Sequence, residues 1–213
     1  MEDIVTYKDR IKAFKDTLKV GYSKEAILYT EEALHKDLPK GAKLNIMWSE
    51  DTVTSILECS KSEKKIAALN FADPFMPGGL VWQGAGTQEE CLCRSSTLYR
   101  SLLPLNQDFY TYNMMKQSTT DRVIYSPDVL FFKDKDLNKV EPCYCDVITC
   151  AAPYKAEGFL DDAIMRRMRG ILLTAILNDV DTLILGRWGC GAFGNDWDRF
   201  KDLWDTVISG YDL

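Results

Sequence analysis

Residues 64–90, KKIAALNFADPFMPGGLVWQGAGTQEE, decide the fold. The stretch begins charged and turns apolar through Ile66, Ala67, Ala68 and Leu69, as expected of a strand covered on both faces. A loop over 72–86 follows, with four glycines and two prolines. Thr87 then offers an N-cap for a helix over about 87–103, with Glu89 and Glu90 in the first turn, where the helix dipole favours acids. A second segment, unrelated in sequence, has the same order of elements: an apolar strand at Thr182–Leu185, a glycine-rich loop over 186–194 and a helix over 197–208. Strand, glycine loop and helix, twice over, predict a layered α/β fold.

Outward from these units the reading is coarser. Ile11, Phe14 and Leu18, then Ala26, Leu28, Ala33 and Leu34, recur near helical spacing, so 3–36 is read as two helices broken at Gly21. Residues 38–41 (LPKG) make a turn, and 43–48 a short strand. The β-branched stretch 52–59 is ambiguous between helix and strand. Strand-like pieces surround Pro127, 146–150 is an apolar strand, and 161–178 is a helix. One further apolar strand is expected after Gly210. No repeat or flexible linker is visible. The chain divides into an N-terminal helical extension, 1–42, and a main domain, 43–213.

Composition sets the exclusions. With 213 residues and 46% hydrophobic character the chain can bury a sizeable core. Lys and Arg total 26 against 32 acids, a net charge of −6, which argues against a broad nucleic-acid-binding face. No apolar run approaches the roughly 18–20 residues that span a bilayer, and the charged start MEDIVTYKDR lacks a signal-peptide core. Seven irregularly spaced cysteines suit a reducing, cytoplasmic setting better than a disulfide framework. The single histidine, His35, falls in a segment that reads as a helix end, which argues against a Ser-His-Asp triad and against a His-rich metal site.

Chemistry therefore concentrates in the two loops. Backbone amides in glycine loops beside helix N-termini hold anions. Two such loops suggest a ligand with two attachment zones, such as a diphosphate; two tight turns that simply need glycine are the alternative. Neither loop is G-x-x-x-x-G-K-[ST]. Gly189, Gly191 and Gly194 lack the following strand and acid of a dinucleotide fingerprint. Glu90 and Arg94 stand at i, i+4 and can form a solvated ion pair. Beside a glycine loop, the same glutamate can instead protonate the leaving oxygen of an acetal, given a pKa raised by burial or by a like-charged neighbour.

The residues N-F-A-D-P (70–74), P-G-G (77–79), Q-E-E-C-L-C-R-S-S-T-L-Y (88–99), D-V-I-T-C-A-A-P-Y (146–154) and L-I-L-G-R-W-G-C-G-A-F-G-N-D (183–196) resemble the microbial-type poly(ADP-ribose) glycohydrolase family, over about 45–200. The resemblance implies a three-layer α/β/α macrodomain-like mixed sheet with an N-terminal helical extension. It also implies cleavage of the ribose C1″ glycosidic bond of poly- or mono-ADP-ribosylated substrates, without metal or cofactor; a monomer is expected. Glu90 matches the family's catalytic glutamate and Glu89 the acid that positions the reacting ribose. Asn70 matches a polar residue near that ribose. Gly78 and Gly79 match the loop around the diphosphate and proximal ribose. Gly189, Cys190, Gly191 and Ala192 match the second phosphate loop, and Phe193 an aromatic that orients the distal ribose, or else a core plug beneath it. Gln88, Asp73 and Arg187 complete the expected substrate contacts. Three positions depart from the family pattern: Leu80 replaces a third glycine, Asp73 an Asn, and Arg187 a small residue. A non-catalytic macrodomain that reads ADP-ribose is the alternative function. The pairs Cys91/Cys93 and Cys143/Cys145 read as free cysteines rather than zinc ligands, and Trp82, Trp188, Trp197 and Trp204 mainly as packing.

Overall fold

The computed structural model describes residues 5–39, 41–62 and 64–210. Its elements are α1 (Tyr7–Thr17), β1 (Ile27–Tyr29), α2 (Glu31–Leu34), β2 (Asn45–Trp48), α3 (Thr52–Cys59), β3 (Ile66–Phe71), α4 (Gln88–Ser95), α5 (Leu98–Leu102), α6 (Tyr112–Lys116), β4 (Val123–Lys133), β5 (Lys139–Cys150), α7 (Asp161–Leu177), β6 (Thr182–Leu185) and α8 (Trp197–Ser209). The six strands form one sheet in the order β1-β4-β5-β3-β6-β2. β3 runs parallel to both β5 and β6, and β2 parallel to β6; β4 is antiparallel to β5 and β1.

Side chains alternate across the central strands, so each face carries its own core. Ala67, Leu69, Ile148, Cys150, Leu183 and Leu185 pack on one side with Met168 and Leu172 of α7 and Phe200 and Trp204 of α8. Ile66, Ala68, Val147 and Ile184 pack on the other with Phe14 of α1, Ile56 of α3, Leu92 of α4 and Leu98 of α5. This is the expected three-layer mixed sheet, and double coverage explains why β3 and β6 read as continuous apolar runs.

Several local expectations are corrected. The second N-terminal helix is instead β1, which pairs with β4 (Ile27 opposite Tyr125), followed by the single turn of α2. Leu28 and Tyr29 pack on opposite faces of the sheet, an alternation that a three-residue strand shows too briefly to outweigh helical spacing. The ambiguous 52–59 stretch is helical because Asp51 caps it, its carboxylate accepting the Thr54 N–H at 2.7 Å. The helix expected over 87–103 breaks at Ser96, where the backbone is extended and bridges Phe131; Thr97 N–H donates to Leu130 O at 3.1 Å. β4 runs through Pro127 with a register shift at Asp128, whose φ is +47°. Among the described residues no strand follows α8; residues 211–213 lie outside them, as do residues 3 and 4 of the expected first helix.

β3 and β6 are neighbours and parallel, so the loops leaving their carboxyl ends emerge side by side. Ligands of open α/β sheets bind in such crevices.

Candidate active site

A cleft of about 410 Å³ opens where those two loops meet, a size ordinary for a small-ligand site. From the first strand–loop–helix unit it is lined by Phe71, Asp73, Leu80, Ala85, Thr87, Gln88, Glu89 and Glu90, and from the second by Arg187 through Phe193, with Ala152 of the β5 exit. The cleft is polarised. Three carboxylates, Asp73, Glu89 and Glu90, come from the first unit, and among the lining residues Arg187 is the one cation, from the second.

Glu90 is buried at 4% exposure rather than solvated, and among the described residues it makes no ion pair with Arg94. Arg94 turns instead to the Ala85 carbonyl and the Cys91 sulfur. Glu90 Oε1 accepts the Leu80 N–H at 2.9 Å, and Oε2 accepts the Thr87 hydroxyl. A threonine hydroxyl can also accept a hydrogen bond, so Thr87 can partner the carboxylate and the carboxylic acid alike.

Glu89 is 2% exposed. Its Oε1 accepts Asn70 Nδ2 at 3.1 Å and its Oε2 the Asp73 N–H at 2.7 Å. Burial pushes its carboxyl up to about 8, with the charges of Glu90 and Asp73 adding to the rise and the two hydrogen bonds opposing it. Asp73 uses Oδ1 to accept the Phe75 and Met76 amides, both hydrogen bonds shorter than 3 Å, and burial raises its pKa too. Gly79 presses on both acids. It has φ +55°, and a Cβ there would lie 2.6 Å from Glu90 Oε1 and 3.2 Å from Glu89 Oε2, so only glycine fits. Leu80 follows at φ −91°, a conformation open to any residue, so leucine in place of a third glycine brings no backbone strain. Its side chain is 40% exposed on the cleft.

The second loop supplies donors. Among the described residues, the amides of Gly189, Gly191, Ala192 and Phe193 have no protein acceptor. Gly189 has φ +77°, and a Cβ there would meet Ala152 at 2.6 Å. Phe193 is half-buried: it stacks on Tyr154 at 4.0 Å between ring centroids, packs against the core on one side and lines the cleft on the other. The exposed Arg187 guanidinium lies 5.5 Å from the Trp197 ring centroid.

The structure thus gathers Asp73, Gln88, Glu89, Glu90, Arg187, Gly189, Cys190, Gly191, Ala192 and Phe193 around one cleft. It leaves Asn70, Gly78 and Gly79 behind the lining. Gly78 backs onto Tyr99, and Asn70 reaches Glu89 from β3 while also donating to Thr149 Oγ1 at 3.2 Å. Gln88 touches the cleft, but its polar atoms are committed to protein. Nε2 donates to Leu69 O at 2.8 Å and Thr52 Oγ1 at 3.1 Å, and Oε1 accepts the Phe71 N–H at 2.9 Å. It fastens the open end of β3 to α4. Gln88→Ala is therefore expected to destabilise the protein by about 2–4 kcal/mol, since it orphans buried backbone groups. Thermal denaturation checks this; an unchanged Tm with a large loss of ligand affinity would make Gln88 a ligand contact instead. Sequence pattern alone does not mark Thr87, Phe71 and Tyr154 as site residues. The T-x-x-E spacing of Thr87 and Glu90, that of a capping box, was the available signal for Thr87.

All seven cysteines are unpaired. Trp188 and Trp204 are buried, whereas Trp82 is 49% exposed.

Fold and cleft together define a macrodomain-like glycosidic-bond hydrolase: paired acids of unlike surroundings for an acetal, with amides and a cation beside them for a phosphate. The family model described as microbial-type PARG, catalytic domain, matches residues 6–134. The chain belongs to that family, the poly(ADP-ribose) glycohydrolases of microbial type. No curated protein matches the sequence. Among solved structures, poly(ADP-ribose) glycohydrolase from Thermomonospora curvata is similar at 27% identity and TM-score 0.84, over 96% of this chain and 90% of that one. The same protein bound to the inhibitor ADP-HPD aligns at 27% identity and TM-score 0.80, over 92% of this chain and 85% of that one. Poly(ADP-ribose) glycohydrolase from Deinococcus radiodurans in complex with ADP-ribose aligns at 29% identity and TM-score 0.78, over 94% and 84%. This chain is an ADP-ribosyl glycohydrolase.

Proposed function

We propose that the chain trims poly(ADP-ribose), with the ADP-ribose unit laid along the cleft from Arg187 to Glu90. The diphosphate rests on the open amides of Gly189, Gly191, Ala192 and Phe193, and Arg187 adds a charge-assisted contact. The distal ribose lies between Phe193 and the acids, its hydroxyls meeting Glu89 and the free oxygen of Asp73. Glu90 gives its proton to the leaving oxygen as the C1″–O bond breaks and an oxocarbenium ion develops. The resulting carboxylate then takes a proton from the water that attacks C1″, restoring the acid and releasing ADP-ribose. Thr87 and the Leu80 amide hold Glu90 through both halves of the cycle. Asn70, Gly78, Gly79 and Gln88 are positioning residues. They set the acids and the strand end without touching the sugar.

The observation that carries this reading is the burial of two sequence-adjacent carboxylates in a cleft also lined by four residues of the second loop whose amides have no protein acceptor among the described residues. We place the enzyme in the cytoplasm as a monomer, with residues 43–213 carrying the cleft and the N-terminal extension contributing β1 to the same sheet. No helix among the described residues is long and apolar enough to cross a membrane.

The test is incubation with Arg-, Glu-, Ser- and polymer-linked ADP-ribose, with products identified by mass spectrometry. Free ADP-ribose from the polymer is expected. A nucleoside monophosphate product would overturn the bond assignment, and tight ADP-ribose binding without release from any substrate would make the chain a reader.

A further inference from the structure

Helix α1 lies outside the cleft, yet it grips the loop that holds Glu90. The helix is well anchored at its start, where Thr6 and Asp9 form a reciprocal cap. Phe14, fully buried, meets Trp82 edge-on at 4.9 Å and Tyr99 at 5.0 Å. Trp82 of the 80–86 loop stays half-exposed; Phe14 packs against its ring, and its Nε1 donates to the Tyr99 hydroxyl at 3.0 Å. Arg10 Nη1 donates to Gly84 O at 3.4 Å. The contact is tight enough that a Cβ on Gly84 would lie 2.5 Å from Tyr7 O, and one on Gly86 would lie 2.8 Å from Arg10 Nη1. At the far end of α1 the Lys133 ammonium bonds Ala13 O at 2.6 Å, Thr17 Oγ1 at 3.2 Å and Arg94 O at 3.4 Å, while Thr17 Oγ1 donates to Arg94 O at 3.0 Å. The C-terminal turn of α1 is thereby pinned to the end of α4.

The loop between these fixings begins with Leu80, whose N–H holds Glu90 Oε1, and runs into Thr87, whose hydroxyl holds Glu90 Oε2. Both grips on the acid thus come from one short segment, and the middle of that segment rests on α1. Misplacing a reacting group by about 1 Å can cost about 10²-fold in rate, whereas ligand grips elsewhere in the cleft are untouched.

We propose that α1 is a positioning element of the active site, with Phe14 and the Gly84 contact setting the 80–86 loop so that Leu80 and Thr87 aim Glu90. The inference rests on the assignment of Glu90 as the acid. Phe14→Ala is expected to lower kcat on poly(ADP-ribose) about tenfold to a hundredfold. The Kd for ADP-ribose stays within about twofold, because the amides of the second loop do not touch α1. Phe14→Leu, which refills most of the volume, recovers most of the rate. Hydrogen exchange at the Leu80 amide quickens in Phe14→Ala while the amides of β3 and β5 keep their protection. Should Phe14→Ala fail to fold, Gly84→Ala drives the loop off Tyr7 without removing a core side chain and is read by the same criteria. A folded variant with wild-type kcat, or one losing rate and ADP-ribose affinity in parallel, overturns the proposal. Glu90→Gln assayed alongside separates the cases. If that variant is active, the acid is misassigned; if it is inactive while Phe14→Ala turns over normally, only the role of α1 falls.

Discussion

Glu90→Gln is expected to lower ADP-ribose release by about 10²–10⁴-fold, the range typical of losing a general acid–base group, and to leave the Kd for ADP-ribose within about twofold. The substitution is well matched to the site. The amide oxygen of the new glutamine can accept the Leu80 N–H that Glu90 Oε1 now accepts, and its NH2 can donate to the Thr87 hydroxyl, which reverses its role without moving. No buried group is orphaned, so stability is retained and the rate loss reports the missing proton. Single-turnover release from the polymer, followed by chromatography, and calorimetric titration with ADP-ribose are the two measurements. Unchanged turnover would remove Glu90 from the chemistry; equal losses of rate and affinity would make it a binding group.

The parts of this architecture visible in sequence are those where burial is symmetric or a backbone constraint is severe. β3 and β6 are legible as apolar runs because both faces are covered. The two loops are legible because Gly79 and Gly189 sit at positive φ against neighbours that exclude a Cβ, a demand that only glycine meets. β5 is legible only over 146–150. Its first half is largely exposed and carries Lys139, Glu141 and Pro142, which mask the strand. The break at Ser96 is decided by pairing with β4, a contact 35 residues away that no local propensity encodes. Within the site, the Q-E-E acids are readable as residue types, but their division of labour is not. Glu89 and Glu90 are adjacent and chemically identical, and what separates them is which donors the fold supplies: Asn70 and Asp73 to one, Leu80 and Thr87 to the other. Gln88 shows the converse. It belongs to the same triplet as the acids, yet its hydrogen bonds go to the strand end.

That division makes Glu89 the group through which pH should act on the whole protein. Its carboxyl ordinarily titrates near 4.5 but is pushed up to about 8 in the folded chain, chiefly by burial. Folding therefore favours its protonated form. The sign follows: the stabilising contribution is complete below about pH 4.5, declines through neutral pH and is lost as pH rises through 8. The swing from this one group between pH 5 and pH 9 is on the order of 4 kcal/mol, a large share of a typical domain's stability. Glu89→Gln substitutes a permanently neutral side chain, so thermal melts across that range should be markedly flatter than those of the wild type. The variant should be the more stable of the two at pH 9. At pH 5 it gains nothing and loses a little, because its amide must face either the Asp73 N–H or the Asn70 amide, both donors. Parallel pH profiles for the two proteins would mean that Glu89 is solvated in the native state. The raised carboxyl stands beside Glu90 and Asp73 in the cleft, where a shifted titration and a candidate site coincide.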